Sequence, residues 1–334
     1  MSATVQADPS TPAGSASGLT PRRPIGDRAF QLLALLSGLL VLVILVLIAI
    51  TMSQQSTSWF TAEGWSGVFS LDWDPAHGKF GAMAFVFGTV VMSLIAIVIA
   101  FPISVGVALL LTEVVPRRWA QPIVYVIDLL AVVPSVVWGL WGILVLVPWL
   151  QADIYPHVAS ALNGIWILGN LFGPLNGNYV SGASFFTAGL VLAIMIVPIM
   201  TSLSREVIAT VPASDKEGAY ALGATRWEMI RGAVWPHSQV GVMGATLLGL
   251  GRAMGETIAV ALVCGASATV TSHLLTPGYA MPAVIALQFG EATAGVFRSA
   301  LIGMGVLLFA LTIIVNLSAR AIVERNARRM RGAA

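Results

Sequence analysis

Residues 247–265 read LLGLGRAMGETIAVALVCG, an apolar and glycine-rich stretch that carries two opposite charges, Arg252 and Glu256. Four positions separate the two residues, a spacing that places both side chains on one face of a helix. Between residues 232 and 292 the only other charged residue is Glu291. A charge near the centre of a bilayer costs about 2.5 to more than 10 kcal/mol. The pair is therefore predicted either to join helices or, as we favour, to line a polar pathway.

Composition indicates a membrane protein. Charged residues make up 10% of the 334 residues and hydrophobic residues 57%, and the mean hydropathy is +0.88. Soluble domains contain about 25% charged residues. The single cysteine, Cys264, excludes a disulfide framework. The predicted fold class is an all-α polytopic membrane protein.

Long uncharged runs predict six transmembrane helices, since about 20 apolar residues are needed to cross the hydrocarbon layer. Pro102 is expected to kink the second helix, and Pro134 and Pro198 to interrupt the third and fourth. The predicted spans are residues 29–52, 82–111, 123–150, 183–204, 239–266 and 297–319.

The basic residues predict an orientation. Of the 17 lysines and arginines, all except Lys79, Arg252 and Arg298 fall on one side of a six-span chain. The positive-inside rule then places both termini in the cytoplasm. The basic C-terminal tail is interpreted as an anchor at the membrane surface and not as a nucleic-acid site.

The segment between the fourth and fifth spans, residues 212–236, reads PASDKEGAYALGATRWEMIRGAVWP. Ser214 with Glu217, and Thr225 with Glu228, have the spacing of capping boxes. The pattern predicts a helix over residues 215–222 that stops at Gly223, followed by a second helix that ends before the proline at 236.

This segment also carries apolar residues that its short helices cannot bury. They are expected to need a partner protein, although packing against the chain's own spans remains an alternative. These residues are Ala219, Leu222, Trp227 and Ile230.

The same segment resembles the EAA loop of permease subunits in bacterial ABC importers with the MetI-like fold. The residues that carry the resemblance are Glu217, Ala219, Gly223 and Pro236. The chain departs from the pattern at three positions, where Gly218, Ala233 and Trp235 replace the usual residues. The resemblance implies a coupling helix that docks into a groove of a cytoplasmic ATPase.

Three further stretches resemble the phosphate importer permeases of the PstC type: residues 132–148, VVPSVVWGLWGILVLVP; residues 195–212, MIVPIMTSLSREVIATVP; and residues 247–265. The resemblance implies a six-span permease for inorganic phosphate in the bacterial plasma membrane. It also implies three kinds of partner: a homologous second permease, two copies of an ATP-binding subunit, and an external phosphate-binding protein.

On this basis the chain divides into four parts. Residues 1–27 are predicted to be a disordered cytoplasmic tail, and residues 28–80 a first transmembrane helix with an outer loop. Residues 81–325 would form the MetI-like core, with the coupling loop at 212–236. Residues 326–334 would form a basic cytoplasmic tail.

The residue chemistry suits an anion pathway. A guanidinium offers two parallel donors to an oxyanion, which an ammonium cannot do in a fixed geometry. Arg252 is therefore the predicted phosphate contact, and Glu256 would neutralise it when the site is empty. Gly251, Gly255 and Ala259 form a small-residue ridge that we interpret as helix packing. For Asp128, structural and pathway roles are equally open.

Other function classes are weaker. Sulfate or molybdate would suit the same arginine, and an ion-coupled secondary transporter could use the charge pair, but the chain shows no matching halves. An enzyme would need a cluster of nucleophiles, bases or metal ligands, and the four histidines are scattered. No metal or cofactor is predicted. Since the phosphate-loop motif is lacking, ATP hydrolysis is assigned to a separate polypeptide.

Overall fold

The computed structural model describes residues 25–162, 164–173 and 181–331. Within them the chain is mainly helical, with one short hairpin formed by β1 (Trp73–Asp74) and β2 (Lys79–Phe80). In chain order the helices are α1 (Ile25–Gln55), α2 (Thr57–Glu63), α3 (Ser66–Phe69), α4 (Met83–Val114), α5 (Arg117–Val132), α6 (Ser135–Leu162), α7 (Trp166–Phe172), α8 (Phe185–Ala209), α9 (Ala213–Ala221), α10 (Arg226–Met229), α11 (Trp235–Gly255), α12 (Ile258–Val263), α13 (Met281–Gln288) and α14 (Val296–Arg331).

Five of the described helices are long and apolar enough to cross a membrane. The all-α polytopic fold class is thereby confirmed. The five segments are Ala29–Gln55, Met83–Val114, Ser135–Leu162, Phe185–Ala209 and Val296–Ala321.

Two predicted spans have different boundaries in the structure. The third was predicted over 123–150, but α5 ends at Val132 and a separate helix begins after Pro134. Proline lacks an amide donor, so it suits the first position of a helix better than the interior. The fifth was predicted as one helix over 239–266 and is divided into α11 and α12. By contrast, Pro102 and Pro198 lie inside continuous helices.

The first and last described helices extend into residues that were predicted to be tails. Helix α1 already begins at Ile25, and α14 continues to Arg331 through residues assigned to the basic tail. Residues 1–24 and 332–334 lie outside the described residues. The described chain divides into two compact units, of which the first ends at Ile50 and the second begins at Thr51.

Helix α8 lies at the centre of the second unit. Phe185, Leu192, Ile196 and Met200 on this helix are fully buried. Close approach to α4 requires Gly189, because a Cβ at that position would lie 2.5 Å from Cγ2 of Ile95. The largest core cluster forms around this pair of helices, which gives the neighbouring α11 a rigid surface to pack against.

The segment predicted as the first outer loop is packed against the core. Trp59 is fully buried, its indole Nε1 donates to the carbonyl of Phe80 at 2.9 Å, and its backbone amide donates to Oγ of Ser299 at 3.0 Å. Trp65 remains exposed. Trp59 is thus part of the core and not of the surface, because an indole with a partner for its N–H packs well inside the protein.

Candidate functional site

Helices α10 and α11 form one continuous helical run. The π-helical turn Ile230–Val234 joins them, and Pro236 falls in the first turn of α11. The prediction that the second loop helix ends before this proline is wrong. Proline is tolerated because its missing amide lies where the hydrogen-bond register already changes. The run carries the loop directly into the segment that bears Arg252.

Helix α11 ends at Gly255, and Glu256 adopts an extended conformation with φ −70° and ψ 130°. The prediction that Arg252 and Glu256 share one helical face is therefore wrong, since only the arginine is in the helix. Oε1 of Glu256 instead accepts a hydrogen bond from the amide of Ala259 at 3.4 Å, in the first turn of α12. The carboxylate thus satisfies an amide that the helix start leaves without a partner.

Arg252 is exposed and makes no ion pair or hydrogen bond with the residues that the structure describes. The neighbours Ala253 and Met254 are buried. The guanidinium donors are thus available to a ligand or to a side chain of another subunit. The helix break lies directly beside them, and membrane proteins tolerate such breaks where the backbone is buried in protein or lines a cavity.

One face of α11 is open along its length. A Cβ added at Gly244, Gly251 or Gly255 would have no atom within 4 Å, and Leu248 is 58% exposed. Within the described chain, therefore, no helix packs against Gly251 and Gly255, which were interpreted as part of a packing ridge. The third member of that ridge, Ala259, is buried on α12, where it packs against Gly139 of α6.

The opposite face of α11 is tightly packed. A Cβ at Gly241 would lie 2.4 Å from Cγ1 of Val207, and one at Gly249 would lie 2.7 Å from Sδ of Met200. Both contacts are with α8, which therefore fixes α11 on this side. The helix can present Arg252 in a defined position because its other side is fixed.

Asp128 lies on α5 and is partly buried. Its Oδ1 accepts a hydrogen bond from Oγ of Ser202 on α8 at 2.9 Å. This contact ties α5 to the central helix. It supports the structural interpretation of Asp128, one of the two left open by the sequence.

The loop between α8 and α11 has the predicted form of helix, tight turn and helix. Gly223 follows α9 with φ +81°, which favours glycine, and Thr225 with Glu228 forms a complete capping box. The hydrogen bonds from Thr225 hold the pKa of the Glu228 carboxyl below its usual value. The predicted box at Ser214 is wrong: α9 begins at Ala213 after Pro212 and has no side-chain cap.

The apolar residues of the loop fall into two groups. Leu222 is 91% exposed and Trp227 67% exposed, whereas Ile230 is buried and Ala219 partly buried. Ile230 packs in a cluster with Val105 and other residues of α4 and α8. For Ile230 and Ala219 the alternative of packing against the chain's own spans is therefore observed, whereas Leu222 and Trp227 remain without such packing.

A salt bridge not foreseen from the sequence fixes this loop. Nζ of Lys216 on α9 lies 2.6 Å from Oε1 of Glu113 at the end of α4, and the glutamate side chain is only 6% exposed. The residues are 103 positions apart, so no local spacing could reveal the pair. It holds α9 against α4 and leaves Leu222 and the exposed Glu217 on the outer side.

No group of three or more histidine, cysteine, aspartate or glutamate side chains in the described part of the chain is arranged to hold a metal ion. The chemistry available on the open face is that of one guanidinium in apolar surroundings. A guanidinium can donate charge-assisted hydrogen bonds to a small oxyanion.

Comparison with known proteins places these features in context. The pattern of the family described as "Binding-protein-dependent transport system inner membrane component" matches residues 101–332. Proteins named "Phosphate transport system permease protein PstC" are similar over most of the chain. The one from Xylella fastidiosa (strain Temecula1) is 43% identical over 304 residues, which covers 91% of this chain and 92% of that protein. The one from Mesorhizobium japonicum is 39% identical, with 97% and 98% covered.

Two solved structures show the fold. A chain from the inward-facing MetNI methionine ABC transporter aligns with a TM-score of 0.51 at 15% identity, covering 72% of this chain and 94% of that one. A chain of a bacterial ABC transporter that imports alginate gives 0.55 at 16% identity, covering 89% and 96%. The predicted MetI-like permease core is thereby confirmed.

Proposed function

We infer the function from the premise that this chain belongs to the family of binding-protein-dependent transport system inner membrane components, and within it to the PstC-type permeases. It is the permease subunit of an ATP-driven importer of inorganic phosphate. The observation that carries this conclusion is the 43% identity over 91% of the chain with a phosphate permease. As a permease subunit it is a transport protein, embedded in the membrane through several helices.

Phosphate, in this proposal, passes the C-terminal end of α11, beside Arg252 and the open glycines Gly251 and Gly255. Arg252 supplies the positive charge, because its guanidinium is exposed and makes no ion pair in the described chain. Glu256 lies at the helix break next to it, where it limits how tightly the anion is held. A transport site has to bind weakly enough to release its ion.

A homologous second permease would complete the pathway. The support is the open small-residue face at Gly251 and Gly255, which lets another helix approach closely. An external phosphate-binding protein would deliver the anion on the outer side. The plasma membrane of a bacterium, with both termini in the cytoplasm, suits the distribution of basic residues.

Two copies of a separate ATP-binding subunit would supply the energy, one docking on the loop of this chain. Leu222 and Trp227 form the exposed apolar contact, Glu217 lies beside them, and Gly223 shapes the turn. On the side that faces the spans, the loop is held by Ala219 and Ile230. Pro236 lies in the first turn of α11, where the loop continues into that helix. Because α10 and α11 are one helical run, movement of the loop is transmitted to Arg252 without a flexible joint.

Two alternatives are distinguished by experiment. Another oxyanion, sulfate or molybdate, would satisfy the same guanidinium. An ion-coupled secondary transporter would also use a broken helix, such as the one at Glu256. Such a transporter would need no ATPase.

The test is reconstitution of the chain with its candidate partners in lipid vesicles. We expect ATP turnover and phosphate uptake to rise with the phosphate-loaded binding protein and not with a sulfate-loaded equivalent. Stimulation by sulfate would contradict the substrate assignment. Uptake that proceeds without ATP would contradict the transport class.

A further inference from the structure

A cleft of about 430 Å³ opens between α11 and α14, away from Arg252. Its walls are apolar except for one basic and one amide side chain. The lining residues are Val240, Gly244, Leu247, Leu248, Asn316, Arg320 and Val323.

The cleft starts at the membrane boundary and runs into the apolar layer. Residues 299–319 of α14 carry no charge, and Arg320 is the first of five arginines between residues 320 and 331. Since charged side chains are unfavourable in the hydrocarbon layer, Arg320 lies at the level where lipid headgroups begin. The α11 side of the cleft runs from Val240 to Leu248. These positions are eight residues apart, which is about 12 Å along a helix. The deeper part of the cleft therefore faces hydrocarbon and its mouth faces headgroups.

The two polar side chains of the cleft have no partner in the described part of the chain. Neither Arg320 nor Asn316 makes a hydrogen bond or ion pair there. They are four positions apart on α14 and so share one face. An unpaired amide at the depth of hydrocarbon is unfavourable, which indicates that a polar group of an occupant meets it.

We propose that the cleft between α11 and α14 binds an anionic phospholipid. One acyl chain lies along the apolar floor at Gly244, and the headgroup phosphate contacts Arg320. Asn316 donates to an ester oxygen. A lipid suits this cleft better than a free phosphate ion, because only the lipid has an acyl chain to cover the apolar walls. Basic pockets between transmembrane helices favour anionic headgroups for the same electrostatic reason.

A lipid bound in the cleft would contact α11 directly. It would lie against the half of the helix nearest the coupling loop, whereas Arg252 lies in the last turn at the other end. Bound there, it would fill space beside a helix whose opposite face is already packed. The site is distinct from the phosphate contact, and it does not depend on which side of the membrane is cytoplasmic.

The experiment is native mass spectrometry of the full chain, released from nanodiscs with equal amounts of phosphatidylglycerol and phosphatidylcholine. Wild type should retain one phosphatidylglycerol in preference to phosphatidylcholine. Arg320→Gln should lower that preference about fivefold, the worth of one basic side chain at an anionic surface. Gly244→Leu should remove retention of both lipids, since its side chain fills a floor where a Cβ meets no atom within 4 Å.

Two control variants match these changes. Arg325→Gln removes a charge from an exposed position on α14 that does not line the cleft, and Gly106→Leu adds the same side chain at an open glycine of α4. Both should behave as wild type. The proposal is overturned if Arg320→Gln keeps the full preference, if Gly244→Leu still retains lipid, or if excess inorganic phosphate displaces the phosphatidylglycerol.

Discussion

The two faces of α11 use the same residue type in opposite ways. Gly241 and Gly249 face α8, where an added Cβ would lie within 2.7 Å of a neighbouring side chain. Gly244, Gly251 and Gly255 face open space. Glycine on the first face permits close packing, whereas on the second it leaves room that the chain itself does not fill. The helix is thus held from one side and free to meet substrate, lipid or a second subunit on the other.

The contrast continues into the coupling loop. Met229 and Ile230 are buried against the spans, while Trp227, two or three residues earlier, is 67% exposed. One continuous run, from α10 to α11, therefore has a packed side and an open side throughout. Changes on the open side should affect transport and partner binding, and changes on the packed side should affect stability.

The largest effect is expected at Arg252. Arg252→Lys keeps the charge but loses the two parallel donors, so phosphate uptake should fall at least about tenfold, as expected when a hydrogen bond between charged groups is lost. The complex should assemble normally because the side chain packs against nothing in the described chain. Uptake of labelled phosphate into vesicles measures the effect, with Arg325→Lys as the control. Normal uptake in Arg252→Lys would remove this residue from the pathway.

A second large effect is expected in the loop. Replacing both Leu222 and Trp227 with aspartate should release the ATP-binding subunit, since a buried anchor at an interface contributes about 2 kcal/mol or more, roughly thirtyfold in affinity. A pull-down with the purified subunit measures this. The matched control replaces Trp65 and Leu71, which are also exposed but lie in the outer segment. If the loop variant still binds fully, the docking surface lies elsewhere.

On the packed side, Lys216→Met should lower the free energy of unfolding by about 1–3 kcal/mol, because it leaves the carboxylate of Glu113 buried without its partner. Lys79→Met is the control: its pair with Asp72 is exposed, with 3.4 Å between Nζ and Oδ2, and such pairs contribute about 0–1 kcal/mol. Denaturation of the detergent-solubilised chain compares the two. Equal losses would mean that the loop is not held by this salt bridge.

The smallest effects are expected from substitutions of two glycines on α11. Gly241→Ala should destabilise by up to about 2 kcal/mol, because overpacking against Val207 costs about 1–3 kcal/mol and improved helix propensity returns about 1. Gly244→Ala should stabilise by up to about 1 kcal/mol for the second reason alone. The same denaturation experiment measures both. If both substitutions change the free energy of unfolding in the same direction, the distinction between the two faces is contradicted.

The sequence predicted much of the fold because hydrophobic length and charge distribution report directly on the membrane. The capping box at Thr225 and the left-handed Gly223 were also predictable, since both depend on near neighbours. The break at Glu256 was not: a spacing of four suggests a shared face only while the helix continues. The Lys216 salt bridge and the burial of Ile230 depend on contacts between distant segments, which local patterns do not contain.

In this proposal the C-terminal end of α11, from Gly251 to Gly255, lines an aqueous path for phosphate. The direct measurement is the rate at which a negatively charged thiol reagent modifies Gly255→Cys in the reconstituted complex, with Ala253→Cys on the buried side as its counterpart. The native Cys264 is buried. We expect Gly255→Cys to react, its rate to fall when phosphate is added, and Ala253→Cys to stay unmodified. An unreactive Gly255→Cys, or a rate that phosphate does not change, would contradict the account.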